Sequence, residues 1–314
     1  MEKTKIDKKE GKLKGEGELE KDNRDYLLFR GCLIPTSLPY MEVSARRALE
    51  ILEIEITETE KFSCCPDPVG IKAVSELTWL SMAARNLSIA QEIGKDILTL
   101  CNGCYETLKE TSHALSEDSE LLEKVNKILS SFNREYDGNT IVKHIAEVLY
   151  LDIGPDQISQ IIKKPLYGLK VAAFYGCHIL RPSDILNFDD PENPKSLDEL
   201  ITALGADSVP RMRKVLCCGA PLFGINMELS LKIAKENLDN MKASGADCIV
   251  TLCPFCQAQF DRNQKVVERK FNKEYNLPVF YYPELLCLAL GVDPNQLGFD
   301  LHRVKVDSVL NKII

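Results

Sequence analysis

No stretch of this sequence approaches the roughly 20 apolar residues needed to cross a bilayer. No apolar region followed by a small-residue cleavage site opens it. The first absence excludes a membrane-spanning helix, and together they set the expectation of a cytoplasmic protein with no direct membrane span. No stripe of Lys and Arg stands out, and the formal charge is −8, so nucleic acid is not an expected partner. A local basic pocket for an anionic substrate stays open.

What is present is otherwise ordinary. Hydrophobic residues make up 45% and charged residues 27% of 314, as in soluble globular chains, and the length suffices for two domains with a core each. Residues 1–25 differ: Lys, Glu, Asp and Gly dominate, with Leu13 and Leu19 almost alone as large apolar residues. Such a segment cannot bury enough surface to offset its ordering entropy. We expect a disordered extension there, or a solvated helix that orders on a partner.

Cysteine is the unusual residue. Twelve occur, and in a reducing compartment thiolates gathered for a metal are a better expectation than disulfides. Three cysteine-bearing segments occur twice in the same order. Tyr26–Pro35 reads YLLFRGCLIP and Val171–Pro182 reads VAAFYGCHILRP. Phe62–Lys72, FSCCPDPVGIK, is matched by Leu216–Asn226, LCCGAPLFGIN, and Ile97–Tyr105, ILTLCNGCY, by Ile249–Gln257, IVTLCPFCQ. An insertion around Asp189–Lys195 accounts for a change of offset between the repeats.

Each repeat alternates short apolar runs with helical stripes. Strands are expected at Tyr26–Arg30, Ile97–Leu100, Val171–Tyr175 and Cys248–Leu252. Leu77, Leu80, Ala84 and Leu87, and then Met227, Leu231, Ala234, Leu238 and Met241, mark helices. Ser196 with Glu199 reads as a capping box, and both halves end in apolar helical patterns around Val142–Tyr150 and Pro283–Leu290. Alternating strands and helices imply a mostly parallel sheet covered on both faces. The expected fold is therefore α/β: two duplicated, open, Rossmann-like domains, 26–165 and 166–314. Sites in such sheets lie beyond the carboxyl ends of the strands, where three loops can bring their sulfurs to one edge.

The two sets are Cys32, Cys64, Cys65, Cys101, Cys104 and Cys177, Cys217, Cys218, Cys253, Cys256. Each follows C-x31–39-CC-x34–35-C-x2-C. Iron with bridging sulfide prefers soft thiolate ligands, and Gly31, Gly103, Gly176 and Gly219 would let backbone approach a bulky cluster. A structural zinc or an ordinary cubane takes four ligands; five, two of them adjacent, suggest a different cluster. Two zinc sites, one cluster with one zinc, and a redox-active Cys253–Cys256 pair stay open on the residues alone. Cys248 and Cys287 fall outside both sets, in an apolar strand and an apolar helix, and read as packing residues. His113, His144 and His302 carry no motif and read as structural. Trp79 and Tyr105 flank the first set as core residues or as shields of a cluster.

At these residues, and at Tyr175–Ser183 (YGCHILRPS), the sequence resembles the cysteine-rich CCG-domain family, and within it the B subunits of methanogen heterodisulfide reductases. The resemblance runs from about Tyr26 to the C-terminus. It implies that each five-cysteine set holds one noncubane 4Fe-4S cluster, and that the chain reduces the mixed disulfide of coenzyme M and coenzyme B to two thiols. The partners it implies are a flavin-containing subunit, a small ferredoxin-like subunit, and a hydrogenase or formate dehydrogenase feeding an electron-bifurcating complex. The alternative is a non-catalytic electron-transfer subunit of a lactate-, glycolate- or fumarate-type oxidoreductase. Many such relatives carry ferredoxin-type C-x2-C-x2-C-x3-C runs, and this chain has none.

On that reading the two domains face each other about a pseudo-twofold axis, with the substrate disulfide between the clusters. His178, next to Cys177, is a candidate catalytic proton donor, and Arg181 a candidate for a substrate anion. Arg211, Arg213 and Lys214 form a basic run read as a solvated face. The first set has Pro66 where the second has Gly219. Proline offers no N–H, so the two sites are expected to differ in electronics.

Overall fold

The computed structural model describes residues 25–210 and 213–313. The expected disordered extension lies outside them, apart from Asp25, and so does Arg211. Eight short strands run in chain order: β1 Asp25–Phe29, β2 Glu55–Thr57, β3 Asp96–Thr99, β4 Val142–His144, β5 Lys170–Phe174, β6 Asp207–Ser208, β7 Cys248–Thr251 and β8 Val279–Tyr281. They form two four-stranded sheets, β2-β1-β3-β4 and β6-β5-β7-β8. Every pairing is parallel. The same order appears twice, so the duplication read from the cysteines is a duplication of α/β domains. The central strands β1, β3, β5 and β7 are buried along nearly their whole length, which is why they read as unbroken apolar runs rather than alternating ones.

The helical stripes are where periodicity places them, in Glu76–Ile93 and Met227–Ala243, except that Leu77 and Met227 are exposed at the helix starts. Two expectations are corrected. The run from Val142 opens as β4, pairing with Ile97–Thr99, before it turns helical at Ile145. Ser196 does not form a capping box. Its hydroxyl is buried without a partner, while Asp189 of the inserted loop accepts from the Lys195 and Ser196 N–H groups at 2.8 and 2.7 Å. The insertion thus supplies the cap, and a carboxylate there suits the helix dipole.

The halves exchange helices. Tyr282–Ala289, which follows β8, packs on Pro39–Ile51 of the first half, and Pro155–Ile161, which follows β4, packs on Ser196–Ala203 of the second. Since Pro39–Ile51 and Ser196–Ala203 each follow the leading strand of their own repeat, the exchange is reciprocal, as pseudo-twofold symmetry requires. Hydrogen bonds close the seam: Tyr281 Oη donates to the Leu100 carbonyl at 3.1 Å, Tyr150 Oη to Glu199 at 2.7 Å, and Lys109 Nζ to the Leu186 carbonyl at 3.0 Å. Both halves therefore share one continuous core.

The C-terminal segment joins this seam through His302. Its ring lies 4.2 Å from that of Tyr40, and its Nε2 is 2.8 Å from Glu284, both side chains being fully buried. Burial works against the charged imidazole, but Glu284 outweighs it and holds the pKa above its ordinary value. Burial raises the Glu284 carboxyl as well, against the pull of His302. His302→Ala strands a buried carboxyl and should cost about 3–5 kcal/mol in denaturant unfolding. The folded pair holds more protons than the unfolded chain. The imidazole's contribution is complete below about pH 6.5 and declines as pH rises through the higher folded value. A melting-temperature profile of wild type minus His302→Ala should narrow in that direction.

Candidate functional site

In both sheets the strand order reverses between the first and third strands, and a doubly wound sheet opens its crevice there. Cys32 follows β1 and Cys101 follows β3 at this point; Cys177 follows β5 and Cys253 follows β7. The C-x2-C motifs are then set by helix geometry. Cys101 is the N-cap of Asn102–Glu117 and Cys253 the N-cap of Pro254–Asp261, with nearly identical backbone angles of −135°/126° and −134°/132°. Cys104 and Cys256 lie one turn on, so both sulfurs of each motif sit at the positive end of a helix dipole, yet only Cys253 is held below its ordinary value; neighbouring thiols and burial raise Cys101, Cys104 and Cys256.

The adjacent pairs arrive on separate loops that are pinned alike in both halves. Asn86 Nδ2 donates to the Cys64 carbonyl at 3.0 Å, and Asn237 Nδ2 to the Cys217 carbonyl at 3.1 Å. Close by, Thr107 Oγ1 donates to the Pro66 carbonyl at 3.0 Å and Gln259 Nε2 to the Cys218 carbonyl at 3.2 Å. These four polar residues are buried, and none was singled out by motif. Their signal is a polar residue recurring on the buried stripe of both repeats.

The result is two open concavities, one in each half. Cys32, Cys64, Cys65, Cys101 and Cys104 line the first, and Cys177, Cys217, Cys218, Cys253 and Cys256 line the second. Asp67, Pro68, Gly103 and Phe255 border both, so the concavities share a wall. All twelve cysteines are free thiols; Cys32, Cys64 and Cys217 are exposed. Cys65 and Cys104 bring their sulfurs to 3.1 Å, and Cys101 interacts directly with Cys253 across the shared wall. Among the described residues no three His, Cys, Asp or Glu side chains converge as ligands of a single metal ion.

Neighbouring sulfurs share protons. The Cys104 and Cys64 thiols pull Cys65 down to about 5, and Cys101 and Cys256 hold Cys253 well below its ordinary value against burial. Cys177 and Cys218 lower Cys217, with help from the Gly219 N–H. That N–H lies 3.3 Å from Cys217 Sγ, and the Ala220 N–H 3.4 Å from Cys218 Sγ. Gly219 has φ +83°. Proline is locked near −65° without an N–H, so Pro66 can reproduce neither the turn nor the donor. The two loops therefore differ in backbone conformation and in the N–H groups they turn toward sulfur.

Both glycines that precede the first cysteine of a set make room for sulfur. A Cβ on Gly31 would lie 3.0 Å from Cys104 Sγ, and one on Gly176 would lie 3.4 Å from Cys256 Sγ. Ten thiols in two pockets, with glycine where backbone meets sulfur, fit bulky sulfide-bridged iron clusters.

His178 lines the second concavity, and its Nδ1 is paired with Glu106 of the first half. Burial opposes the imidazolium but Glu106 prevails, so its pKa is raised. Arg181 borders neither concavity. It is exposed and donates to the Pro191 carbonyl at 2.8 Å. Cys248 and Cys287 are buried away from both sites, Cys287 facing the Ser44 carbonyl at 3.3 Å. Trp79 and Tyr105 are buried core residues outside the linings, with Lys72 and Lys109 over their rings. Arg213 pairs with Glu236, and Lys214 with Asp198 at 2.8 Å. His144 caps a helix, accepting from the Ala146 N–H at 3.1 Å, and His113 is exposed. Sequence reasoning missed Asn102, Glu106 and Arg30.

A duplicated parallel sheet with a five-thiol pocket at each switch point defines the class, and the family model for the cysteine-rich (CCG) domain matches residues 26–109 and 171–261. The chain belongs to this cysteine-rich family. It is 40% identical over 288 residues, 91% of this chain and 96% of the relative, to the B subunit of the ferredoxin/F420H2-dependent CoB-CoM heterodisulfide reductase of Methanosarcina acetivorans. A protein of Archaeoglobus profundus named as similar to the heterodisulfide reductase B subunit is 37% identical, the match covering 87% of this chain and 93% of that one. The 8-methylmenaquinol:fumarate reductase membrane anchor subunit of Wolinella succinogenes is 31% identical, covering 90% and 97%. A hypothetical protein from Helicobacter pylori has the same fold, with a TM-score of 0.73 at 17% identity; the match covers 90% of this chain and about half, 52%, of that one. Among the described residues no helix is long and apolar enough to cross a membrane.

Proposed function

We propose that this chain is the disulfide-reducing subunit of a heterodisulfide reductase, acting on the mixed disulfide of coenzyme M and coenzyme B. Its two five-cysteine sets hold two noncubane 4Fe-4S clusters. The observation that carries this reading is the pair of complete five-thiol concavities meeting at one wall, with Cys101 beside Cys253. A disulfide has two sulfurs and needs two electrons, and two adjoining sites match that stoichiometry. The clusters supply electrons one at a time when bound.

The chain's own residues do the rest. Pro68 and Phe255, bordering both concavities, exclude water and hold the disulfide across the wall. His178, fixed through Nδ1 by Glu106, leaves Nε2 to hand a proton to the thiolate released on its side. Partners are a flavin-containing subunit and a small ferredoxin-like subunit, with hydrogenase or formate dehydrogenase upstream. The Wolinella relative favours a second reading, in which the chain only passes electrons on.

The test is metal analysis of anaerobically purified protein, followed by EPR of the oxidised state with and without coenzyme M. About eight irons with comparable sulfide and a new signal on adding the thiol are expected. Eight irons without a thiol response would favour the second reading. Two zincs and no sulfide would refute both.

A further inference from the structure

The two concavities carry different basic groups: an arginine borders the first, and the Glu106-paired His178 borders the second. Arg30 lines the first, two residues before Cys32. The matching position in the second repeat is Tyr175, two residues before Cys177. It is fully buried, and its hydroxyl donates to Asp198 at 2.6 Å. Arg30 instead keeps 41% of its side chain exposed. Its nearest carboxylate, Glu42, stands 3.6 Å away, beyond hydrogen-bond range. That carboxylate already accepts from Arg46 Nε and Nη2 at 2.9 and 2.7 Å. Asp67, the acidic residue bordering the same concavity, is occupied by the Val69 N–H at 3.1 Å and by the Gly70 N–H. Among the described residues, no hydrogen bond uses the Arg30 guanidinium. A planar fork of five donors is thus left at the edge of a pocket walled by sulfur, Leu33, Pro68, Pro254, Phe255 and the backbone-bonded Asp67 carboxylate.

We infer that Arg30 recognises the anionic end of a thiol whose sulfur lies among the first five cysteines. This rests on the function proposed above and gives that reaction a direction. Arg30 and Cys32 lie two residues apart and border the same concavity, so the spacer between sulfur and anion must be short. The short anionic half of a mixed disulfide lodges at the first site, and the other half faces His178.

The test compares binding of 2-mercaptoethanesulfonate and 2-mercaptoethanol by anaerobic titration calorimetry. The proteins are the full-length chain and its Arg30→Gln and Arg30→Lys variants, each matched to wild type in iron content. Wild type should prefer the sulfonate. Arg30→Gln should weaken sulfonate binding by about 10- to 100-fold, as for loss of a charged hydrogen bond, and leave 2-mercaptoethanol unchanged. Arg30→Lys, which keeps the charge without the fork, should lose less than about tenfold. A sulfonate preference that survives Arg30→Gln, or an equal loss for both thiols in both variants, would overturn the inference while leaving the proposed function standing. Failure of the wild type to bind either thiol would overturn both.

Discussion

Replacing Cys65 or Cys218 by alanine is expected to remove about half of the iron and sulfide from the chain, and Cys248→Ala is expected to remove none. Cys65 and Cys218 are the buried members of the adjacent pairs, and each interacts with a helix-start cysteine of its own set, Cys104 or Cys256. Removing either leaves four thiols on one side and the other set untouched, since it is Cys101 and Cys253 that meet across the wall. If five thiols are needed per cluster, the loss is confined to one site. Disulfide reduction should nonetheless fall by roughly a thousandfold in either variant, because groups that act as a unit fail together. Cys248 is as buried as any cysteine of the two sets but lies in β7, away from both concavities. Iron and sulfide per chain, with turnover in the assembled complex, make the measurement. Full iron in Cys218→Ala would show that four thiols suffice and that the fifth has another task.

What could be read in advance divides along physical lines. The cysteine spacing repeats, and each set follows a strand, so the fold class and the gathering of each set at one sheet edge follow from order alone. The edge strands were not legible. Glu55–Thr57 and Asp207–Ser208 are two or three residues long and half exposed, too short to carry a period. Val142–His144 runs into a helix without a break. The exchange of Tyr282–Ala289 and Pro155–Ile161 between halves was hidden for another reason: an apolar stripe says that a helix is buried, never against what. The same limit concealed Glu106. It lies one turn beyond Asn102 on a helix of the first half, yet serves His178 of the second. Arg30 had a readable signal, since the repeat pairs it with Tyr175 in otherwise matched F-x-G-C segments, and a charge at a duplicated position with no charged counterpart marks a place where the two sites differ.

Gly176→Ala should be the most damaging single-atom change at the second site. Gly176 has φ +78°, a conformation that costs an L residue about 1–2 kcal/mol. Space makes it worse. The added Cβ would lie 2.7 Å from Asn102 Nδ2, a distance no relaxed contact reaches. That amide comes from the first half and donates to the Tyr175 carbonyl at 2.8 Å. Asn102 is held in the first turn of its helix, and its Oδ1 has no hydrogen-bond partner to take over. The clash must therefore separate the amide from the carbonyl, at a further cost of about 1–3 kcal/mol for a buried hydrogen bond. It also moves the Cys177–His178 loop away from Glu106. Iron should fall toward half, and thermal unfolding should start earlier. Gly31→Ala should be milder, because its Cβ meets only Cys104 Sγ, at 3.0 Å, and no hydrogen bond between the halves stands in its way. Adding Asn102→Ala to Gly176→Ala removes the clashing amide while keeping the backbone cost. If the steric account holds, the double variant unfolds at a higher temperature than Gly176→Ala; if it does not, backbone conformation alone sets the loss.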